Sequence, residues 1–307
     1  MRIVVIGGTG FIGTSLVKAL LERGDEITIL TRSPHALHES NPKIHYSAWN
    51  PQDEMSLIRE IDASDAVVNL AGEPLIGKRW TPKQKQRILK SRVNAAQIVA
   101  RSIKEAVRKP QVLINASAVG YYGPHENEPL TEEARPGNDF LSDVCKAWEA
   151  HAVRVEDFDV KVVRLRIGIV LAKNGGALSM MIPPFRMCLG GWLGNGHQWM
   201  SWIHLKDLIR LIIFCLEHES ARGAINAVSP HCVTNKAFSI VLAQVLKRPC
   251  LMPVPAFALK ILLGEMSQVL LTGQRVVPKK AVELGFSFQY PDIRSALEAI
   301  LKGHDGS

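Results

Sequence analysis

The sequence predicts an α/β protein: a doubly wound parallel sheet followed by a smaller α/β lobe. Three observations carry this. Short apolar runs alternate with helical patterns through the first half of the chain, as in a parallel sheet with helical crossovers. The first run breaks into Gly7-Gly8-Thr9-Gly10-Phe11-Ile12-Gly13, and an amphipathic helix pattern starts at once. After Val170 the alternation gives way to a broken, apolar stretch, Lys173–Trp202, with Trp192, Trp199 and Trp202.

Taken in order, the first strand is Arg2–Ile6 and the first helix Phe11–Arg23, closed by Gly24, a residue suited to the left-handed end of a helix. Strands follow at Glu26–Thr31, near Ile44–Ser47 and at Ala66–Asn69. A long helix begins at Pro82, where a missing N–H costs nothing, and runs to about Val107. A strand at Val112–Ala116, a helix at about Leu141–Phe158 and a strand at Val160–Ile167 complete the alternation. Right-handed crossovers place the ligand crevice at the carboxyl ends of these strands. Gly175-Gly176, Pro183-Pro184 and Gly190-Gly191 break the next stretch. Helical patterns return at about Asn235–Leu246, Ala256–Leu263 and Pro291–Leu301. The expected division is a dinucleotide-binding domain over 1–170, joined by later segments that return to it, and a substrate-covering lobe over 171–307.

Three glycines spaced Gly-x-x-Gly-x-x-Gly between a first strand and a first helix have a definite use. One permits the turn, one lets backbone approach a pyrophosphate, and one lets helix pack closely on strand. The amides of the helix start then face the phosphates. Gly7, Thr9, Gly10, Phe11, Ile12 and Gly13 are the expected phosphate loop of a Rossmann-type fold. The second strand ends in Thr31-Arg32, about twenty residues on, where an acidic side chain would accept the ribose 2′-hydroxyl of NAD and an arginine suits a 2′-phosphate. Arg32 therefore points to NADP (NADPH), and Thr31 joins it in the site. Leu70, Ala71 and Gly72 follow Asn69, and small residues there let backbone approach the cofactor.

Composition excludes several classes. The 307 residues are 47% hydrophobic and 21% charged, so the chain buries a full core and is not disordered. The best candidate for a membrane span, Leu208–Leu216, is far short of the roughly 20 residues needed. The first strand starts at Met1-Arg2, leaving no room for a leader, so a cytoplasmic location and no membrane are expected. Five scattered cysteines without a Cys-x-x-Cys pair predict reduced thiols and no metal site. Net charge is +8, and seven cations crowd Lys78–Arg92. With Trp80 as the single aromatic beside them, this is a solvated face or a patch for anionic ligands, not a nucleic-acid surface.

The glycine loop, Asn69-Leu70-Ala71-Gly72 and Ala116-Ser117-Ala118-Val119-Gly120-Tyr121-Tyr122-Gly123 together resemble an extended short-chain dehydrogenase/reductase. Phe140–Glu149, Trp202–Leu208, and Pro278 with Leu284-Gly285-Phe286 narrow the resemblance. It is then to the atypical, YfcH-like "epimerase family", whose carboxyl-terminal segment is a domain of unknown function. The resemblance covers Met1 to about Leu301 and implies a dehydrogenase- or epimerase-like site.

Departures from the pattern are as telling. The family's Tyr-x-x-x-Lys becomes Ser142-x-x-x-Lys146, and an aliphatic hydroxyl is a far weaker acid than a phenol of pKa about 10. Restoring the phenol by Ser142→Tyr is expected to place it one helical turn from Lys146. The usual catalytic hydroxyl position falls on Ala118, leaving Ser117 one residue away as the candidate. Ser117 and Lys146 are thus the expected catalytic pair. Arg92, on the long helix, and Arg166, at the end of the sixth strand, are expected to take up cofactor phosphate or ribose. Tyr121 or Tyr122 would supply a missing acid, or pack. His204 and Asp207 match a His-x-x-Asp segment read as a helix start joining the lobes or, less simply, a catalytic histidine. The three tryptophans wall a substrate pocket or pack under a loop. Two functions stay open: an NADP(H)-dependent oxidoreductase or epimerase-like enzyme on an unknown small molecule, and an NADP(H)-binding sensor that has lost its acid. A homodimer is the one assembly expected.

Overall fold

The computed structural model describes residues 1–32, 41–50, 54–62 and 64–303. In chain order the first half runs β1 (Arg2–Ile6), α1 (Phe11–Arg23), β2 (Glu26–Thr31), β3 (Ile44–Ala48), α2 (Glu54–Asp62), β4 (Ala66–Asn69), α3 (Pro82–Glu105), β5 (Val112–Ala118), β6 (Pro129–Leu130), α4 (Phe140–Val153) and β7 (Lys161–Ile167). The second half runs β8 (Ile169–Ala172), α5 (Gly176–Arg186), β9 (Trp199–Met200), β10 (Trp202–His204), α6 (Leu205–Glu217), β11 (Gly223–Ala227), β12 (Val233–Thr234) and α7 (Asn235–Leu246). It ends with α8 (Ala256–Leu263), α9 (Ser267–Leu271), β13 (Arg275–Val276), α10 (Lys279–Glu283) and α11 (Ile293–Lys302).

Seven parallel strands form the central sheet in the order β11-β7-β5-β4-β1-β2-β3. The chain order reverses around β1, so the crevice of a doubly wound sheet opens beside it. Both faces are covered, and β1 and β4 accordingly read as continuous apolar runs. On one face, Leu16, Val17 and Leu20 of α1 pack with Leu208, Leu211 and Ile212 of α6 over Ile3, Val5 and Val68. On the other, Leu57 and Ile61 of α2 and Ile98, Val99 and Ile103 of α3 cover Val4, Val67 and Leu113.

Helix ends follow local chemistry. Gly24 closes α1 at φ +97°, in the left-handed region. Thr81 caps α3 by accepting from the Gln84 N–H, and Pro82 takes the first helical position. Asp139 caps α4 through the Ser142 N–H. The helix expected over Leu141–Phe158 stops at Val153; the Val155 N–H reaches back to the Ala152 carbonyl, tightening the chain into a separate 3₁₀ turn at Glu156–Phe158. Pro183 and Pro184, expected to break the chain, sit inside α5 near its end.

The central sheet does not end near Val170. The chain leaves at β8, which pairs with β10, then returns through α6 and the seventh strand, β11, on the edge of β7. The second lobe is assembled from what lies on either side of that return, around Leu171, Leu178, Phe185, Trp202, Phe238, Leu242 and Leu297. Trp202, one of the candidate pocket walls, is fully buried there.

The His-x-x-Asp segment is the joint between these parts. His204 caps α6 by accepting the Lys206 N–H at Nδ1, and its ring stacks on Tyr290 with centroids 4.0 Å apart. The buried Asp207 carboxylate accepts the N–H groups of Gln289 and Tyr290, each at 2.8 Å, and pairs with Arg210 at 3.0 Å. Both residues hold the strand-like tail against α6, which accounts for them without catalysis. Asp207→Ala orphans two amides at roughly 1–3 kcal/mol each. Urea unfolding should therefore show a loss on the order of 2–5 kcal/mol, and a loss below about 1 kcal/mol would contradict this role.

Candidate active site

Close approach of backbone builds the phosphate loop. Gly7 has φ +82°, and a Cβ there would lie 3.0 Å from the Leu70 carbonyl carbon and 3.2 Å from the Ala71 nitrogen. A Cβ on Gly13 would fall 2.2 Å from the Gly7 oxygen. The first glycine thus sits against the β4 exit, and the third lets α1 start directly on the β1 exit. Gly10 is the N-cap of α1, with no side-chain cap and no acidic residue in the first turn. The first amides of α1 are left for an outside acceptor, the arrangement that binds phosphate. Thr9 and Gly10 are exposed, and Phe11 and Ile12 half-buried.

Phe11 has a second neighbour that the sequence did not reveal. Cβ atoms on Gly175 and Gly176 would lie 2.4 Å and 3.0 Å from its ring, so the turn after β8 closes down on the loop. A cavity of about 470 Å³ between Phe11, Thr14, Ser15, Lys173 and Asn174 opens on the flank of α1, beside the strand ends and not over them.

At the β4 exit, Asn69 donates to the Asn115 side chain at 2.7 Å and accepts the Ala71 N–H at 3.2 Å. This buried pair fixes Leu70, Ala71 and Gly72. The Arg92 guanidinium lies against Gly72, 3.1 Å from where a Cβ would be, and over the Trp148 ring at 5.3 Å. Burial pushes the Arg92 pKa down from its ordinary value, with only weak compensation from the Cys145 and Glu73 charges. Its one hydrogen bond is to the Ile88 carbonyl, and among the described residues no carboxylate forms an ion pair with it. Arg32 is exposed beyond Thr31 at the end of β2, also without an ion pair among the described residues.

Arg166 does not join them. Its Nε and Nη2 donate to the two Glu149 oxygens at 2.9 and 3.0 Å; its Nη1 donates to Tyr122 Oη at 2.9 Å and to the Glu132 carbonyl at 3.2 Å. The guanidinium is 3% exposed and lies 3.5 Å from the Tyr121 ring centroid. Burial opposes its charge, but Glu149 and Tyr122 outweigh burial and hold its pKa above the ordinary value. Arg166 is expected at the cofactor, but four of its five N–H groups are directed to Glu149, Tyr122 and Glu132 instead.

Ser117 belongs to the same network. Its Oγ donates to Glu149 Oε1 at 2.7 Å, both groups buried. The one-residue offset from the usual hydroxyl position turns it to the other side of β5, where its hydroxyl is engaged by Glu149. Tyr122 donates to Asn226 at 2.6 Å, and burial pushes its phenol up to about 12. It is packing and no acid. Tyr121 is half-buried beneath Arg166. Glu149, the centre of the network, escaped the sequence reading; the signal was a carboxylate on the apolar face of α4 beside Cys145, Trp148 and Ala152.

The remaining pair is sealed differently. Ser142 is fully buried, its Oγ 2.5 Å from Asp139 Oδ1 and 3.1 Å from the Gly120 carbonyl. Gly137 and Gly123 crowd it, since Cβ atoms there would lie 2.6 and 3.1 Å from Oγ. Lys146 is half-exposed, pairs with Asp143 at 2.7 Å and reaches the Gly137 carbonyl at 3.3 Å. Neither of these partners is a phenol or other hydroxyl that Lys146 could activate. Cys145, beneath them, is pushed up to about 12 by burial, which keeps its thiol protonated and inert.

Tyr122 makes a pH prediction. Its phenol ionises near 10 when exposed and near 12 in the fold. Its contribution is whole below pH 10 and is lost as pH rises to 12. The buried thiols add to the alkaline loss, so the comparison with Tyr122→Phe isolates the phenol. Stability of the variant, read by urea unfolding, should fall less steeply over this interval than that of the wild type; parallel curves would contradict the assignment.

Comparisons with known proteins bear on family and fold. Residues 3–227 match the NAD dependent epimerase/dehydratase family, ending where β11 ends, and residues 254–300 match a domain of unknown function, DUF1731. The chloroplastic epimerase family protein SDR39U1 homologue of Arabidopsis thaliana is 43% identical, over 98% of this chain and 87% of its own. Epimerase family protein YfhF of Bacillus subtilis is 39% identical over 98% of both chains. The crystal structure of human epimerase family protein SDR39U1 (isoform 2), determined with NADPH, superposes with a TM-score of 0.86 at 33% identity, covering 98% of this chain and 99% of that one. With its seven-stranded parallel sheet, glycine loop and carboxyl-terminal segment, the chain belongs to the epimerase family of atypical extended short-chain dehydrogenases/reductases.

Proposed function

We propose that the chain binds NADP(H) and serves as an oxidoreductase or epimerase-like enzyme on a small molecule. The observation that carries this reading is Arg92: a guanidinium largely withdrawn from water, at the carboxyl end of β4, with no carboxylate partner among the described residues. An arginine in that state wants an anion. The residues present fit the cofactor. Gly7, Gly10 and Gly13 form a cradle that side chains would fill, the α1 amides face it, and Arg32 stands at the end of β2. The human relative's complex with NADPH supports the same choice.

In this reading the α1 amides hold the pyrophosphate, Arg32 holds the 2′-phosphate, and Arg92 holds a phosphate or ribose oxygen on the nicotinamide side. The nicotinamide, when bound, supplies hydride transfer. Gly175 and Gly176 hold the turn after β8 against the Phe11 ring at the edge of this loop. Free thiols without a disulfide fit the cytoplasm, where we place the protein.

Losing one charge-assisted contact should cost on the order of 1.5–3 kcal/mol. Calorimetric titration should then show NADPH bound much more tightly than NADH, with Arg32→Ala erasing the preference. Arg92→Ala should weaken both nucleotides, while Lys83→Ala and Lys90→Ala leave them nearly unchanged. Equal affinities in the wild type would remove the NADP assignment. Similar losses at all three basic positions would replace Arg92 by a diffuse field, screened over about 8 Å at physiological ionic strength.

A sensor function without catalysis is favoured by one observation, the burial of Ser142 against Gly120, Gly123 and Gly137. The same packing reverses the expectation for Ser142→Tyr. A ring at that position meets backbone on three sides and overpacks the α4 start, at about 1–3 kcal/mol or more. The variant should melt several degrees lower and gain no NADPH-dependent reduction of aldehydes, ketones or nucleotide sugars. A stable variant with new turnover would show that the place is open after all.

A further inference from the structure

The second lobe leaves part of its apolar surface unused. α8 reads Ala-Phe-Ala-Leu-Lys-Ile-Leu-Leu, yet Leu259 is its one buried residue, while Phe257, Ile261 and Leu262 are 68–69% exposed. Phe257 and Ile261 stand one turn apart on the same side of the helix. Leu263 anchors the other side, packing on the cluster of Trp80, Ile88 and Met266. Two loops extend the exposed side. The Val254 N–H donates to the Trp192 carbonyl at 2.7 Å and the Gly194 N–H to the Val254 carbonyl at 2.9 Å, so the chain before α8 lies along the chain after α5. On these adjoining loops Leu189, Leu251 and Met252 are 70–74% exposed. Apolar residues scattered singly over a surface need no explanation, but six large ones on adjoining segments mark an interaction site.

Charge selects what covers it. No Asp or Glu occurs in 160–206 or in 220–264, the stretches that build the patch. Exposed Arg186, Arg248 and Lys260 flank it, without an ion pair among the described residues. Arg79, from the basic run at the start of α3, donates to the Ile261 carbonyl at 2.6 Å and brings that run to the end of α8. Glu265, the first carboxylate beyond the patch, is ion-paired with Lys85. A second copy docked about a two-fold axis would set the same carboxylate-free, cationic rim against itself. An anionic bilayer surface complements both the apolar centre and the rim.

We propose that this face seats the protein on an anionic lipid bilayer, with Phe257, Ile261 and Leu262 at the boundary of headgroups and acyl chains and Arg186, Arg248 and Lys260 on lipid phosphates. The sequence expectation of no membrane rests on the lack of a spanning run, and among the described residues no helix is long and apolar enough to cross. The seat is therefore peripheral. α8 is already folded against Leu259 and Leu263, so binding does not carry the cost of ordering a free helix. The proposal stands apart from the cofactor reading.

Flotation of the full chain with vesicles tests it, using phosphatidylcholine with about 30% phosphatidylglycerol against phosphatidylcholine alone. Binding to the anionic vesicles is expected at physiological ionic strength, at least about ten-fold weaker on the neutral ones. Phe257→Ser combined with Ile261→Ser should weaken it about ten-fold or more, and Arg248→Gln combined with Lys260→Gln several-fold. All four side chains are exposed, so melting temperature and NADPH affinity should not change. In the wild type, hydroxyl-radical footprinting read by peptide mass spectrometry should show anionic vesicles protecting Met252 and Phe257 but not Met55, which is 64% exposed on α2. That readout is independent of how the variants fold. No flotation, no protection of Met252 and Phe257, or flotation indifferent to the serine variants (adsorption of a basic protein by charge alone) would each overturn the proposal. So would a lipid-free dimer, seen by sedimentation velocity and abolished by the same serine variants, since the face would then belong to a second copy.

Discussion

Two oxygens of Glu149 hold the guanidinium of Arg166 inside the protein, and four elements hang on that pair. Glu149 stands on α4 and Arg166 on β7; Ser117 brings in β5, and Tyr122 passes the chain of hydrogen bonds to Asn226 on β11. A buried ion pair is tolerated only when its remaining polar atoms are satisfied, and here nearly every one is. Removing Glu149 would leave the Arg166 guanidinium as a bare charge in the core, whereas Glu149 itself has Arg164 as a second, more distant partner at 3.4 Å. The network therefore fixes the returning strand β11 and the start of the second lobe relative to the sheet. It also draws into structural service two residues, Ser117 and Arg166, that stand where chemistry would be sought.

The crevice is consequently uneven. Its cofactor side is open to a ligand: glycines allow backbone within van der Waals limits of the β4 exit, the α1 amides lack a side-chain cap, and Arg92 lies against Gly72 with no ion pair among the described residues. Its acid side is closed. Ser142 is packed among glycines, Lys146 is turned to Asp143, and the Tyr122 phenol is held protonated. Arg92 keeps one carbonyl and the Trp148 ring as partners but no carboxylate among the described residues, and burial without a full ionic partner costs stability that an anion would restore. What acid or base acts, if one does, lies outside the Tyr-x-x-x-Lys geometry.

Most of the sheet was legible in the sequence because strand and helix periods alternate cleanly up to Ile167, and the glycine loop says where the crevice is. Arg32 and Arg92 were legible only as cations at a strand end and on a long helix. Three things were not. That later segments return to the sheet was expected, but not which ones, because Leu208–Leu216, apolar apart from Arg210, reads as a core segment without saying of which core. Which arginine is spent and which is free depends on the third dimension: Arg92 and Arg166 look alike in the sequence, and only the position of Glu149 separates them. The sealing of Ser142 depends on Gly137, five residues away along the chain but folded onto it by the Asp139 cap.

The central claim is that cofactor binding is intact while Arg166 and Ser117 are structural. Electron density for the protein with NADPH tests it most directly. The account predicts the Arg92 guanidinium within about 2.7–3.2 Å of a cofactor oxygen, with Arg166 still on Glu149 and the Ser117 hydroxyl still turned to the same carboxylate. Arg166 released from Glu149 and placed on the cofactor, with Arg92 left against Trp148, would contradict it.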